Sequence, residues 1–153
     1  MFILDNINTI NKKIVEIVSE TELDVINKIP EGFNNNIAWN FGHIVISSYS
    51  LAFLATGADT SIQLPYVEQY KRGSSPQGPV SQEEINELIS LADNFTAEVR
   101  AALDANKFSH INTYTTQTFG VPITNINDML TTIAMHNTLH WQIIKDYKRI
   151  LKS

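Results

Sequence analysis

The feature that most constrains the fold is the helical spacing of the apolar residues. Near the N-terminus isoleucines recur at positions 3, 7, 10, 14 and 17, and alternating steps of four and three place them on one face of a helix. This spacing predicts a first helix over residues 3–20. Similar spacing predicts three more helices, at about 36–55, from 81 to about 106, and at about 127–151.

Helix stop and start signals agree with this division. A short helical piece at Leu23–Ile29 is followed by Pro30, which cannot continue a helix cheaply. Gly57 follows the second predicted helix as a stop signal, and Ser81 with Glu84 forms a capping box at the start of the third. Four helices of similar length, in 153 residues of which 43% are hydrophobic, predict one all-α domain over residues 1–153, a four-helix bundle.

Two long connections add to the predicted topology. Roughly 25 residues, 56–80, separate the second helix from the third, whereas neighbouring bundle helices are usually joined by about two to eight. A crossover this long can run the length of the bundle, so we expect an up, down, down, up order. The second connection, 107–126, contains TYTTQTFGVPIT, which favours a short extended piece over one end of the bundle. Long connections in a small domain are usually functional.

Composition excludes several classes of function. The chain has no cysteine, so disulfides and sulfur-ligated zinc are excluded and any metal must be held by nitrogen and oxygen. The formal charge is −5, with lysine and arginine scattered, which argues against nucleic-acid binding. No apolar stretch approaches about 18 uninterrupted residues, and the first residues do not read as a signal peptide. We therefore expect a cytoplasmic protein that does not bind a membrane.

A pair of histidines is the most informative feature for function. His136 and His140 lie four residues apart in the apolar run AMHNTLHWQII, on one helix face and close enough to share a divalent ion. His43, next to the small Gly42 in the second helix, is a third candidate. The alternative is that each imidazole hydrogen-bonds a neighbouring helix or a carbonyl. His110, in a polar loop, is predicted to be exposed to solvent.

Six neighbouring side chains are candidates for supporting roles. Four could orient a ligand or handle protons: Asn40, Asn137, Tyr70 and Tyr114. Two tryptophans each flank a histidine in the sequence, Trp39 and Trp141. Core filling is the expected role of both tryptophans, with a pocket wall as the alternative.

The sequence resembles the DinB-like superfamily, metal-binding four-helix bundles related to bacterial thiol-dependent transferases. The resemblance is carried by NNIAWNFGHI at 35–44 and HNTLH at 136–140, and it extends to YKRGSSPQGPVSQEEI before the third helix and to the TFG turn before the fourth. It implies that His43, His136 and His140 bind one divalent metal. Members often carry HExxH at the last site, whereas Asn137 stands here in place of the acidic residue.

The resemblance favours a metal-dependent enzyme, a thiol transferase or a hydrolase, because three imidazoles leave a coordination position open. The nucleophilic sulfur would come from a low-molecular-weight thiol, since the chain has no cysteine. Zinc, nickel and iron are all compatible with such ligands. A homodimer is suggested by the resemblance and by the apolar surface of the second helix. The alternatives are a metal-binding module without catalytic activity and a metal-free oligomerising bundle.

Overall fold

The structure is a computed structural model that describes residues 1–152, and it confirms the all-α prediction. Four long helices are present, and the second of them ends in a π-helical turn, Ser50–Ala55. The helices in chain order are α1 (Phe2–Ser19), α2 (Leu23–Asn27), α3 (Ile37–Tyr49, continued by the π-helical turn), α4 (Val67–Tyr70), α5 (Gln82–Asp104) and α6 (Ile126–Lys152). Neither α4 nor the π-helical turn was predicted from the sequence.

The directions of the long helices follow from which of their halves pack together. One apolar cluster joins the C-terminal halves of α1 and α6 to the N-terminal halves of α3 and α5. The other cluster joins the opposite halves of the same helices. Helices α1 and α6 therefore run one way and α3 and α5 the other, in an up, down, down, up order. Lys148 of α6 accordingly lies 3.9 Å from Glu20 at the end of α1.

The buried face of α1 is rotated from the predicted isoleucine stripe. Ile7 and Ile14 are buried as expected, but Ile3, Ile10 and Ile17 are only half-buried. The residues at the centre of the face are Leu4, Ile7, Asn11, Ile14 and Val18. The rotation arises because α1 packs against α5 and α6 at once, so its inward face points between those two helices.

The inward face of α6 also differs from the prediction. Asn137 is fully buried, whereas His136 and His140 are half-buried at the edge of the core. Ile150 was predicted to continue the inward stripe, and it is 46% exposed. The polar amide of Asn137, and not an imidazole, therefore lies at the centre of the bundle.

The predicted capping box at the start of α5 is formed only in part. The Ser81 hydroxyl accepts the backbone N–H of Glu84 at 3.2 Å, as a cap should. The Glu84 carboxylate does not turn back to the cap but accepts hydrogen bonds from the Tyr70 hydroxyl and from the Gln69 side chain. Glu84 thus ties α4, in the long crossover, to α5.

Each of the two long connections packs against the bundle through a buried side chain. In the crossover, Tyr70 is buried with its ring against Gly42, where a Cβ atom would lie only 2.3 Å from the ring. In the second connection, the predicted extended piece is a small antiparallel pair, β1 (Tyr114–Thr115) with β2 (Pro122–Ile123). The buried side chain of Ile123 anchors this pair on the bundle.

The second long helix is the most apolar element of the described residues. Residues Ile37–Ala55 are long and apolar enough to cross a membrane by length and composition alone, which the sequence reading did not anticipate. However, 78% of this segment is buried by the rest of the fold, as in the core helix of a soluble protein. Most of its apolar surface therefore packs inside the bundle.

Candidate metal centre

Three histidines converge where α3 and α6 pack together. His43 projects from α3, and His136 and His140 project from α6, with one ligating nitrogen of each ring within 4.8 Å of the others. The Nε2 atoms of His43 and His136 are 3.2 Å apart. Two nitrogens that bind the same tetrahedral zinc ion at about 2.0–2.1 Å lie roughly 3.3–3.4 Å from each other. The observed spacing therefore fits two histidines that share one metal ion. His110 is exposed, as predicted, and lies outside the group.

The ring of His43 is held by the crossover. Its Nδ1 lies 2.7 Å from the backbone oxygen of Tyr70, and because a carbonyl can only accept, Nδ1 must carry the proton. The lone pair of His43 is therefore on Nε2, which faces the other two histidines. The Trp39 ring stacks on the imidazole with centroids 4.8 Å apart and an angle of 8° between the planes, which limits rotation of the ring.

The ring of His140 is held by an amide whose orientation can be assigned. Asn40 Nδ2 donates to the backbone oxygen of Asn36 and to the side-chain oxygen of Asn35, at 2.8 and 2.9 Å. The Asn40 oxygen must then be the atom 2.8 Å from His140 Nδ1, and it accepts that proton. The lone pair of His140 is thus on Nε2, as for His43. A partner of this kind is typical of metal-binding histidines.

The ring of His136 lies beside a weak polar relay through the core. Asn11 donates to the carbonyl of Ala92 at 3.4 Å, which turns its oxygen toward Asn137 Nδ2 at 3.3 Å. Asn137 Nδ2 also lies 3.2 Å from the Ser48 hydroxyl. The Asn137 oxygen is then left facing His136 Nδ1, at 3.4 Å. This relay links α5, α1, α6 and α3, and it ends at the imidazole.

Burial keeps the three imidazoles neutral. Burial, reinforced by the neighbouring histidines, lowers the pKa of His136 to about 4 and that of His140 to about 3. Burial also lowers the pKa of His43, and the nearby positive charge of Arg72 acts in the same direction. A neutral imidazole has a lone pair to give, so at pH 7 all three rings are in the state that binds a metal ion.

The donor set fits a divalent ion. Three atoms no more than 4.8 Å apart have a common point within about 2.8 Å of each, so ring shifts below about 1 Å reach zinc–nitrogen bond lengths of 2.0–2.1 Å. Neutral nitrogen ligands suit zinc, nickel and iron alike. Three protein ligands leave a coordination position open, which is typical of catalytic and not of structural sites.

A cavity of about 560 Å³ opens onto the three histidines. Its walls come from α3, from α6 and from both long connections. The lining includes three aromatic side chains, Trp39, Tyr114 and Phe119. It also includes two positively charged side chains, Lys71 and Arg72. No aspartate or glutamate lines the cavity within residues 1–152. The cavity can therefore admit a small molecule to the histidines, beside cationic side chains.

The predicted supporting residues divide into three groups. Asn40 contacts a site histidine through its side chain, as expected of an orienting residue, and Asn137 lies 3.4 Å from His136. Tyr70 contacts His43 through its backbone oxygen, while its hydroxyl bonds Glu84 on the far side. Tyr114 belongs to the wall of the cavity.

The two tryptophans differ in role. Trp39 is buried, stacks on His43 and lines the cavity, so it is pocket wall as well as core. Trp141 is half-buried in the bundle, with Lys145 4.3 Å above its ring. The buried N–H of Trp141 has no hydrogen-bond partner among residues 1–152. The pocket-wall alternative therefore holds for one tryptophan and core filling for the other.

Two site residues were missed by the sequence reading. Asn11 orients Asn137, and its signal was its spacing of four and three from Ile7 and Ile14, which places a polar group on an otherwise apolar stripe. Arg72 lines the cavity. It had no periodic signal, because only the folding of the crossover brings it to the histidines.

Comparison with known families finds a match over most of the chain. The sequence model of the DinB superfamily matches residues 10–144, a range that includes His43, His136 and His140. No curated protein matches the chain.

Proposed function

The chain belongs to the DinB superfamily, and from this premise we propose that it is a divalent-metal-dependent transferase that uses a small thiol cosubstrate. The observation that carries the proposal is the geometry of the three histidines. The hydrogen bonds of His43 and His140 place the lone pair of each ring on Nε2, which faces the other histidines. The three histidines open onto a cavity of about 560 Å³. A purely structural metal site would be closed.

His43, His136 and His140 would hold the metal. The ion would act as a Lewis acid with an open position, at which a thiol is deprotonated and water is made more acidic. The chain's part is to fix the rings: Tyr70 and Asn40 hold the outer nitrogens of His43 and His140, so the inner nitrogens stay deprotonated and aimed at one point.

The polar groups of the cavity favour a thiol over water as the nucleophile. Metal-assisted hydrolysis usually relies on a carboxylate as general base, as in HExxH sites. No carboxylate lines this cavity among the described residues, and Asn137, at the position of the acid, is a fully buried amide that cannot take up a proton. A thiol, with an ordinary pKa near 8.5, needs less help to ionise than water does.

The proposed thiol transfer is a substitution at carbon, so it needs no oxidant or reductant. The thiol loses its proton to solvent, its sulfur forms a bond to an electrophilic carbon of the second substrate, and the bond from that carbon to the leaving group breaks with its electron pair. Trp39, Tyr114 and Phe119 offer apolar and aromatic wall for the electrophile.

We also propose a cytoplasmic homodimer without nucleic-acid or membrane partners. The formal charge of −5 supports the absence of nucleic acid. Support for a dimer comes from exposed apolar side chains in a groove between α1 and α6, with Met135 49% and Leu139 51% exposed. Light scattering of the purified protein, compared with a Met135→Ser, Leu139→Ser double variant, tests the dimer. A monomeric parent would refute it.

The function is tested with cobalt-loaded protein, a small thiol and chlorodinitrobenzene as the electrophile. We expect a thiolate-to-cobalt absorption band when the thiol is added, and release of chloride with formation of the thioether. The His140→Ala variant should show neither, and an exposed histidine variant, His110→Ala, should show both. Metal binding without a thiolate band or turnover would replace the transferase by a non-catalytic metal module.

A further inference from the structure

We infer that the cavity selects a ligand carrying an anionic group, a carboxylate in the first instance, and that Arg72 is the residue that recognises it. This inference deepens the proposed function, on which it rests, because it names the class of thiol or substrate that the site takes.

The first support is the charge of the cavity walls. Lys71 and Arg72 are the charged residues that line the cavity within the described chain, and both are cations. The protein as a whole carries a formal charge of −5. The cavity thus concentrates positive charge on an otherwise acidic molecule, an arrangement that attracts and orients small anions.

The second support is that Arg72 has no carboxylate partner among residues 1–152. Its guanidinium donates a hydrogen bond to the amide oxygen of Gln117, which lies in the other long connection. Every other arginine of the chain, Arg100 and Arg149, forms an ion pair with an aspartate. A guanidinium has five N–H donors in a planar fork that matches a carboxylate. Arg72 therefore retains donors for a ligand, at the rim of the cavity.

The third support is the difference between the two cations. Lys71 already contacts Glu68, and both of these side chains are largely exposed to solvent. Arg72 is also exposed, but it lines the same cavity as the three histidines and has no carboxylate of this kind beside it among the described residues. A ligand that reaches the histidines with one end can therefore meet Arg72 with the other. We therefore assign Arg72 as the residue that binds the anionic group, while Lys71 adds to the positive electrostatic potential of the cavity.

The test uses two thiols of similar size that differ in charge, mercaptosuccinate and thioglycerol, titrated into cobalt-loaded protein at fixed ionic strength. We expect Arg72→Gln to weaken mercaptosuccinate binding by at least about tenfold, the usual effect of a lost charge-assisted hydrogen bond. Thioglycerol binding should stay within about twofold, since it lacks the anion. Arg72→Lys should fall between, because it keeps the charge and loses the fork.

The matched control is Arg149→Gln, which removes the same charge from an arginine outside the cavity. It should change neither affinity. Equal effects of Arg72→Gln on both thiols, or no effect on either, would overturn the inference.

A second measurement separates this inference from the proposed function. Succinate, which has no sulfur, is added to metal-free protein and the melting temperature is recorded. A rise in the parent that is lost in Arg72→Gln supports the anion site even if no metal or thiol binds. If the parent does bind metal and thiol but succinate does not raise its melting temperature and the two thiols bind equally, the proposed function stands and the inference fails.

Discussion

The Nε2 atoms of His43 and His136 approach to 3.2 Å across the interface between α3 and α6. The His43 atom carries a lone pair, since its other nitrogen donates to the Tyr70 carbonyl. Two facing lone pairs would repel at this distance, so His136 Nε2 either carries the single proton of its neutral ring and donates it to His43 Nε2, or shares a cation with His43. The packing of the two helices thus creates a position between imidazole nitrogens that a cation could occupy.

Removing the Asn40 side chain should weaken metal binding. In Asn40→Ala, His140 Nδ1 loses its acceptor, so the ring is free to turn and to move its proton to the inward nitrogen. We expect metal affinity to fall by about 10–100-fold, the usual effect of removing the partner of a ligating histidine. Competition with a chromophoric chelator measures it. Asn27→Ala, which deletes an amide that bonds Val80 and no histidine, is the control and should keep the parent affinity.

A methyl group at Gly42 should disturb the site through Tyr70. The added Cβ would lie 2.3 Å from the buried Tyr70 ring, and moving that residue also moves the carbonyl that holds His43. We expect Gly42→Ala to lower the free energy of unfolding by about 1–3 kcal/mol, as overpacking does, and to weaken metal binding. Gly78→Ala, in the same crossover with open space around it, should do neither. Parent-like urea unfolding of Gly42→Ala would refute the packing argument.

Placing an acid at position 137 should destabilise the fold. Asn137 is fully buried between Asn11 and Ser48, so burial would raise the pKa of an aspartate there above its unfolded value. The unfolded chain would ionise first as pH rises, and stability would be lost from about pH 4 upward. We expect a loss of at least about 2 kcal/mol at pH 7. Urea unfolding at pH 4 and pH 7 measures it, with the exposed Thr138→Asp as the control; an equal loss in both variants would contradict the prediction.

The metal-free protein should lose stability in mild acid. The pKa values of His43, His136 and His140 are lowered in the folded state, to about 4 for His136 and about 3 for His140. The unfolded rings, with pKa near 6.5, bind protons first as pH falls. The contribution of each is therefore complete above about pH 6.5 and is lost as pH falls toward the folded values.

His140→Gln isolates one of these groups. Between pH 6 and pH 5 the free energy of unfolding of the parent should fall by about 1 kcal/mol more than that of the variant. The reason is that the variant, which lacks this imidazole, takes up one fewer proton on unfolding. Urea unfolding with chelator present measures both, so that bound metal does not add its own pH dependence. Identical slopes would mean that His140 is not held neutral by the fold.

The sequence predicted the helices well, because helix formation depends on local periodicity and caps. The four long helices and the short Leu23–Asn27 piece begin and end within about two residues of their predicted bounds. The prediction of which residues of each helix face the core was less accurate. Whether Ile10 or Asn11 faces the core depends on the two helices that α1 packs against, which periodicity alone does not specify.

The convergence of the three histidines could be anticipated only in part. The i, i+4 spacing of His136 and His140 is local, but the approach of His43 depends on the long-range packing of α3 on α6. The contributions of the Tyr70 carbonyl and of Arg72 could not be predicted, because they depend on the path of the crossover. The metal-ligand role of the three histidines stays a prediction.

The most direct test of the account is elemental analysis of protein purified without a metal-affinity tag. The parent should contain about one equivalent of a divalent metal per chain, and His43→Ala, His136→Ala and His140→Ala should each contain almost none, since the site needs rings from both helices. The exposed His110→Ala should match the parent. A metal-free parent, or variants that retain a full equivalent, would contradict a shared ion among these three histidines.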